Sequence, residues 1–167
     1  VVLTPDANGI IYVKETATGN KNGSDWANAT DNLKRAVRIA GAQQVWVATG
    51  TYTANNIALK NNVEIYGGFD PDNGIVNLTH NRILPNPDDN IQGSVINAQN
   101  NSSVVWNNNN GLDNTAVLDG FTITNGSNPT AGGGIYNNGA SPTLRNLWIK
   151  GNTTPNDGGG MFNVNSS

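Results

Sequence analysis

The sequence LDGFTI at residues 118–123 returns 26 residues later as LRNLWI at 144–149, and GGGIYN at 132–137 returns as GGGMFN at 158–163. Across the whole repeat, seven positions are identical and the alignment needs no gap. Self-similarity at a period in the twenties is typical of repeat architectures in which each unit stacks on the next. We therefore expect residues that are 26 positions apart to lie side by side in neighbouring strands.

Composition argues that these repeats are strands. The chain has 31 Asn and 20 Gly among 167 residues, and only 13% of its residues are charged. Asn and Gly are poor helix formers, so a helical bundle is excluded. We predict an all-β fold, a right-handed parallel β-helix (a solenoid of about 26 residues per coil) with a short N-terminal capping α-helix, its coils stacked about 4.8 Å apart.

The repeat also predicts particular side-chain neighbours. Each side chain should stack on its equivalent one repeat away, and an aligned Asn pair should form an amide ladder. The expected pairs are Phe121 on Leu147, Ile123 on Ile149, Ile135 on Met161, Tyr136 on Phe162, Asn137 on Asn163, and Asp119 against Arg145 as an exposed ion pair. Trp106 should join the stack of Tyr136 and Phe162.

The first part of the chain contains the helix candidate, at residues 31–40. Thr30 is the expected N-cap, and Leu33, Ala36, Val37 and Ala40 recur at helical spacing. We expect this helix to cap the N-terminal end of the core, with Trp26 and Trp46 beneath it. Strand-like runs lie at 10–13, 45–48 and 63–66.

These features predict one β-helix segment over residues 1–167. Its parts are an N-terminal cap at 1–44, a first coil at 45–68, a long loop excursion at 69–94 and regular coils at 95–167. Because the sequence stops within a repeat, we expect the coils to continue in a longer parent protein.

Net charge and residue types limit the classes of partner that the sequence is compatible with. The net charge is −3 without a run of Lys or Arg, which argues against nucleic-acid binding. Apolar runs of membrane-spanning length are absent from the sequence, so we do not expect membrane insertion. The chain has no Cys and one His, His80, so a metal site built on those residues is not expected.

One metal site is a candidate. Asp70 and Asp72 alternate before Gly74, and Asp88 and Asp89 could complete the site from across the loop. Carboxylate oxygens of this kind bind Ca²⁺. The other interpretation is a plain turn, so calcium is the one possible cofactor and otherwise none is expected.

Trp148 is the candidate for ligand binding. It should point outward if Leu147 and Ile149 point inward. An outward Trp on a sheet stacks on a sugar, contacts a partner protein, or packs under a loop.

Five segments resemble the N-terminal part of secreted right-handed parallel β-helix proteins of Bacteroidetes type, which have a pectin-lyase-like fold. These segments are IYV at 11–13, GSDWANA at 23–29, VWVATGTY at 45–52, IYGGF at 65–69 and NTAVLDGFTI at 114–123. The GGGIYN and GGGMFN units resemble the Gly-Gly-x-x repeats of polymorphic outer-membrane-protein adhesins. The resemblance implies a surface or secreted protein that is adhesive or associated with carbohydrate.

The expected function is a non-catalytic, extracellular structural or adhesive scaffold of a bacterial cell-surface or secreted protein, which presents loops 69–94 and 107–114. Its partners would be glycans or other surface proteins, and copies could join end to end into fibres through an open final coil. The alternative is a carbohydrate-binding or polysaccharide-degrading protein, a lyase or hydrolase, whose active coils lie outside this segment. We expect no enzyme activity, because the acids at 113, 119 and 157 do not align into a cluster.

Overall fold

The computed structural model describes residues 1–39 and 41–166. It contains one α-helix, α1 (Leu33–Arg38), and a 3₁₀ turn at Pro71–Asn73 within this range. The strands are β1 (Ile10–Val13), β2 (Gln44–Ala48), β3 (Gly50–Thr53), β4 (Glu64–Phe69), β5 (Ser94–Asn97), β6 (Val105–Asn108), β7 (Val117–Asp119), β8 (Phe121–Thr124), β9 (Ile135–Asn138), β10 (Thr143–Arg145), β11 (Trp148–Lys150) and β12 (Met161–Val164).

These strands form three sheets in which neighbouring strands run parallel. Sheet A has the order β1, β2, β4, β7, β10, sheet B has the order β11, β8, β5, β3, and sheet C has the order β12, β9, β6. Consecutive strands of the chain lie in different sheets for most of its length, as in β7, β8 and β9. The hydrogen-bonded neighbours of a strand are therefore distant in sequence.

The predicted fold class is wrong. An all-β, right-handed parallel β-helix with regular coils of about 26 residues predicts partner strands about 26 positions apart throughout. The structure instead has three parallel sheets of five, four and three strands, with a short helix. Gln44 pairs with Glu64, 20 positions on, but Glu64 pairs with Val117, 53 positions on. The prediction failed because it extended a local repeat to segments that contain a helix and long connections.

The pairing predicted within the repeat itself is confirmed. Ile123 pairs with Ile149, Ile135 with Met161, Tyr136 with Phe162, and Asn137 with Asn163. The repeat therefore determines strand register in the last two strands of each sheet, where no insertion separates the two copies.

The Asn pair extends into a three-residue amide ladder. Asn107 Nδ2 donates to Asn137 Oδ1 at 2.8 Å, and Asn137 Nδ2 donates to Asn163 Oδ1 at 2.9 Å. The first Asn also accepts the backbone N–H of Leu59 at 3.0 Å. Asn107 and Asn137 are buried, and this chain of bonds supplies the partners that buried amides require.

The hydrophobic core lies between the three sheets. Each sheet contributes one row of apolar side chains that runs across its strands in register. The rows are Ile11, Val45, Ile65, Leu118 and Leu144 in sheet A, Tyr52, Ile96, Ile123 and Ile149 in sheet B, and Val105, Ile135 and Met161 in sheet C. All of them belong to one cluster. One core is thus shared along the stack, so a 36% hydrophobic content suffices.

Helix α1 is shorter than predicted and has a different N-cap. It begins at Leu33, and the Asn32 side chain accepts the backbone N–H of Arg35 at 2.9 Å. Thr30 does not cap it, because Thr30 is buried in a parallel bridge with Val13 at the edge of sheet A. The predicted helical position Ala40 lies outside the described residues. Leu33 and its buried neighbours join the core cluster, and the helix contacts β1 and β2.

Within the described residues, no helix has the length and apolar character needed to cross a membrane.

The Gly-Gly-Gly units occupy the approach to sheet C, where successive backbones nearly touch. A Cβ at Gly133 would lie 2.3 Å from the carbonyl oxygen of Thr153. At Gly134 it would lie 2.4 Å from the carbonyl oxygen of Gly160. Real Cβ atoms do not approach backbone oxygens this closely, so glycine is required here by space.

We predict that Gly133→Ala lowers the free energy of unfolding by about 2–3 kcal/mol, within the range for overpacking a tight site. Gly159→Ala, one repeat later, is the matched control because its Cβ would meet its nearest atom at 3.4 Å. Urea denaturation followed by circular dichroism measures both. Equal losses in the two variants would contradict the steric explanation.

We also predict that Asn137→Ala lowers the free energy of unfolding by about 1–3 kcal/mol, because it leaves buried amide groups of the ladder unpaired. Asn138→Ala is the control, since its bond to Asn108 at 2.9 Å is exposed to solvent. The control should change stability by under about 0.5 kcal/mol. If Asn138→Ala lowered the free energy of unfolding more than Asn137→Ala does, burial would not determine how much the ladder stabilises the protein.

Candidate functional site

Two rows of side chains cross the outer face of sheet A. The first row contains Gln44, Glu64 and Val117, which pair directly across β2, β4 and β7. The second row lies two residues further along each strand and contains Tyr12, Trp46, Tyr66, Asp119 and Arg145. Residues with the same period of two point to the same side of a sheet, so both rows share one face.

The second row begins with an aromatic cluster. The ring centroids of Tyr12 and Trp46 are 5.7 Å apart, and those of Trp46 and Phe69 are 4.9 Å apart and stacked. Trp26 completes the cluster at 5.0 Å from Tyr12, and its Nε1 donates to the Val76 carbonyl at 2.9 Å. The prediction that Trp26 and Trp46 lie under the helix is therefore wrong. They pack on the opposite side of sheet A from the core, beneath the 69–94 excursion.

The second row ends with a buried carboxylate. Asp119 is 4% exposed and lies 3.4 Å from Arg82 and 3.3 Å from Arg145. Asn146 Nδ2 also donates to its Oδ1 at 2.8 Å. The predicted pair of Asp119 and Arg145 is confirmed, but its description as an exposed pair is wrong for the Asp. Arg82 comes from the excursion, so this ion pair fastens the excursion to sheet A.

Arg82 makes two further contacts at this position. Its Nη1 donates to the Gly67 carbonyl at 2.9 Å, and its guanidinium lies 5.2 Å from the centre of the Tyr66 ring. Cation–π contacts of this kind hold an aromatic ring in place. The excursion therefore fixes the position of Tyr66 as well as that of Asp119.

The first row forms the floor of an open cleft of about 580 Å³. Its lining is mostly amides and hydroxyls, together with one carboxylate and one apolar residue. The lining residues are Gln43, Gln44, Asn62, Glu64, Asn114, Thr115 and Val117. A cleft of this volume is within the range of small-molecule sites. It lies directly beside the aromatic cluster.

Burial and nearby carboxylates raise the pKa values of the tyrosines on this face. Burial, followed by the negative charge of Glu64, raises the pKa of Tyr66. Burial, followed by a hydrogen bond to Asp6, raises the pKa of Tyr12 to about 12. Both phenols are therefore neutral hydrogen-bonding groups at physiological pH.

The structure separates the four predicted calcium residues into two turns. Asp70 Oδ2 accepts from Asn73 at 2.8 Å, and Asp72 Oδ1 pairs with Lys14 at 2.6 Å. Asp89 Oδ2 accepts from Asn86 at 2.7 Å in the second turn, which also contains Asp88. Among residues 1–39 and 41–166, no group of three or more His, Cys, Asp or Glu could hold a metal ion. The described side chains thus favour the plain-turn interpretation, and calcium binding stays a prediction.

Trp148 is half-buried on β11, where it pairs with Thr122 as the repeat predicts. Lys150 Nζ lies 3.8 Å from the centre of its ring. The ammonium covers one face of the indole, so that face is not available to a ligand. Its role in binding a glycan or partner stays a prediction.

Comparison of the chain with protein-family models, curated proteins and solved structures gave no match. The resemblance to bacterial surface proteins therefore stays a prediction.

Sequence reasoning missed the cleft and the role of Arg82. The cleft joins residues near positions 43, 63 and 115, which the constant 26-residue spacing does not place together. Arg82 belongs to a turn-rich segment whose position over sheet A no local pattern indicates. One signal in the sequence could have indicated the cleft. Gln44 and Trp46 in one strand, and Glu64 and Tyr66 in the next, are two positions apart and so lie on one face.

We predict that Asp119→Asn lowers the free energy of unfolding by about 2 kcal/mol, the range for hydrogen bonds to charged groups. The loss arises because Arg82, with 13% of its side chain exposed, keeps its charge without the carboxylate. Asp31→Asn is the control, because its pair with Lys21 is about half exposed on both sides and should matter little. Chemical denaturation measures the free energy of unfolding of both variants. Equal losses would argue against a stabilising role for the ion pair of Asp119 and Arg82.

Proposed function

We propose that this chain is a non-catalytic structural or adhesive scaffold of a bacterial cell-surface or secreted protein, acting outside the cell. The observation that carries the proposal is the pair of side-chain ladders that crosses sheet C. One ladder is the Asn107, Asn137 and Asn163 series, of which the first two members are buried, and the other is aromatic.

The aromatic ladder lies on the outer side of sheet C. The Trp106 and Tyr136 rings stack at 4.0 Å, and the Tyr136 and Phe162 rings stack at 5.6 Å. All three side chains are half-buried. Stacked rings contribute about 0.5–1.5 kcal/mol per pair beyond the area that they bury. Ladders on both sides of one sheet oppose any register shift, because a slip by one residue would exchange the two sides. A rigid stack is what a scaffold requires.

Four of the acidic side chains have partners that indicate a structural role for their charges. Asp119 fastens the excursion, Asp72 pairs with Lys14, and Asp31 pairs with Lys21. Asp25 caps a turn by accepting from the backbone and side chain of Asn28, and these hydrogen bonds lower its pKa. These carboxylates hold segments together, whereas an acid–base catalyst needs a carboxylate that is free to exchange protons with a substrate.

The surface composition supports the adhesive part of the proposal. The outer positions carry many Asn and Thr, and only 13% of all residues are charged. Amides and hydroxyls bind uncharged polar surfaces through hydrogen bonds, whose strength does not depend on salt as ion pairs do.

The test is to couple the purified chain to beads and flow them over surfaces coated with polysaccharides or extracellular proteins. Beads should be retained on at least one coating, and retention should persist at high salt because the contacts are uncharged. Beads carrying heat-unfolded protein are the control for nonspecific adsorption.

The same polysaccharides are incubated with the chain in solution, and new reducing ends and unsaturated products are followed. We expect no product above the buffer control. Release of product would overturn the non-catalytic proposal, and equal retention of folded and unfolded protein would overturn the adhesive one.

A further inference from the structure

We propose that the cleft on sheet A binds an uncharged, polyhydroxylated ligand, that is, a neutral oligosaccharide. This inference deepens the adhesive part of the proposed function and rests on it. It differs from the earlier expectation for Trp148, because the cleft lies on sheet A whereas Trp148 lies on sheet B.

The chemistry of the lining selects the ligand class. Amides from Gln43, Asn62 and Asn114 lie at the rim, and each offers a carbonyl acceptor and two N–H donors. Within the described part of the chain, these three side-chain amides have no protein hydrogen-bond partner. They are exposed, so they are free to bind hydroxyl groups, which also donate and accept.

The floor of the cleft is held rigid by hydrogen bonds. Trp46 Nε1 donates to Gln44 Oε1 at 2.8 Å, and Gln44 Nε2 donates to Glu64 Oε2 at 3.0 Å. Trp46 is itself buried in the aromatic cluster, so it orients the amide of Gln44. Polar groups that are fixed before binding lose little entropy when a ligand arrives.

The charge of the cleft lining disfavours acidic glycans and gives little attraction for cationic ones. Glu64 is the one charged residue among those that line the cleft, and no cation lines it. Sulfated or uronate-containing glycans would place a second negative charge beside this carboxylate, which is unfavourable. A single carboxylate already engaged by Gln44 is also a weak attraction for a cationic sugar.

The dimensions suit a chain rather than an enclosed monosaccharide. The row of Gln44, Glu64 and Val117 crosses three strands that are about 4.8 Å apart, so it spans about 10 Å. The cleft is an open trough, so a chain of sugar units can lie along it, with the buried Val117 beneath.

The first experiment is an array of neutral hexose and N-acetylhexosamine oligosaccharides, with uronate-containing and sulfated oligosaccharides for comparison. A cationic amino-sugar oligomer is paired with its neutral N-acetylated form. We expect signal on neutral members and preference for the N-acetylated form over the cationic one. Signal confined to charged glycans, or to none, would overturn the proposal.

The second experiment locates the site by calorimetric titration with the neutral oligosaccharide that gives the strongest array signal. Asn114→Ala and Asn62→Gly should each weaken binding about three- to tenfold, as expected for the loss of one or two hydrogen bonds. Glycine is used at residue 62 because Asn62 has a φ of 61°, which alanine would adopt only with strain.

The matched controls are Asn101→Ala and Asn90→Gly, the latter at a φ of 53°. Both residues are exposed and lie outside the cleft, so affinity should stay within about twofold. Trp148→Ala should also leave binding unchanged. Loss of binding in Trp148→Ala with full binding in Asn114→Ala and Asn62→Gly would overturn the proposal and place the site on sheet B.

The two proposals fail separately. Beads that adhere to a protein coating, in the absence of neutral-glycan binding, would remove the cleft proposal and leave the scaffold. Turnover of a glycan would remove the non-catalytic scaffold, even where the cleft variants weaken binding as expected.

Discussion

Parallel pairing between strands that are far apart in sequence is the constraint on which this structure depends. Each sheet places equivalent positions directly beside one another, so one row of side chains runs from strand to strand. The rows that point inward form the core. The rows that point outward contribute to the aromatic cluster, to the ion pair of Asp119 with Arg82 and to the floor of the cleft. Core and surface are thus determined by the same register.

This constraint explains the composition. Rows of identical or similar side chains permit ladders, and the Asn107, Asn137 and Asn163 ladder satisfies its buried amides with one another. The close approach of successive backbones requires glycine at Gly133 and Gly134. An abundance of Asn and Gly is therefore a consequence of stacking strands in parallel. The 69–94 excursion adds the second level of organisation, because its Arg82 pairs with Asp119 and lies over the Tyr66 ring.

Local sequence patterns predicted part of the fold and little of the candidate site on sheet A. The strand at 10–13 followed from a run of apolar residues, and the pairings across residues 117–164 followed from the gapless repeat. The fold class was wrong, because a period measured in one part of the chain does not hold where insertions change the spacing. Thr30 has the sequence features of a helix cap, but pairing with Val13 takes precedence, and Asn32 caps the helix.

The sequence by itself determined the type of secondary structure, the register of the last strands and the partners within each repeat, because those depend on neighbours at one fixed spacing. Only the tertiary structure decided which outer residues meet. Gln44, Glu64 and Val117 form one floor because β2, β4 and β7 are adjacent in sheet A, although 20 and 53 residues separate them in sequence. Arg82 reaches Asp119 for the same reason: the fold of the intervening chain, rather than any local pattern, brings the two charges together.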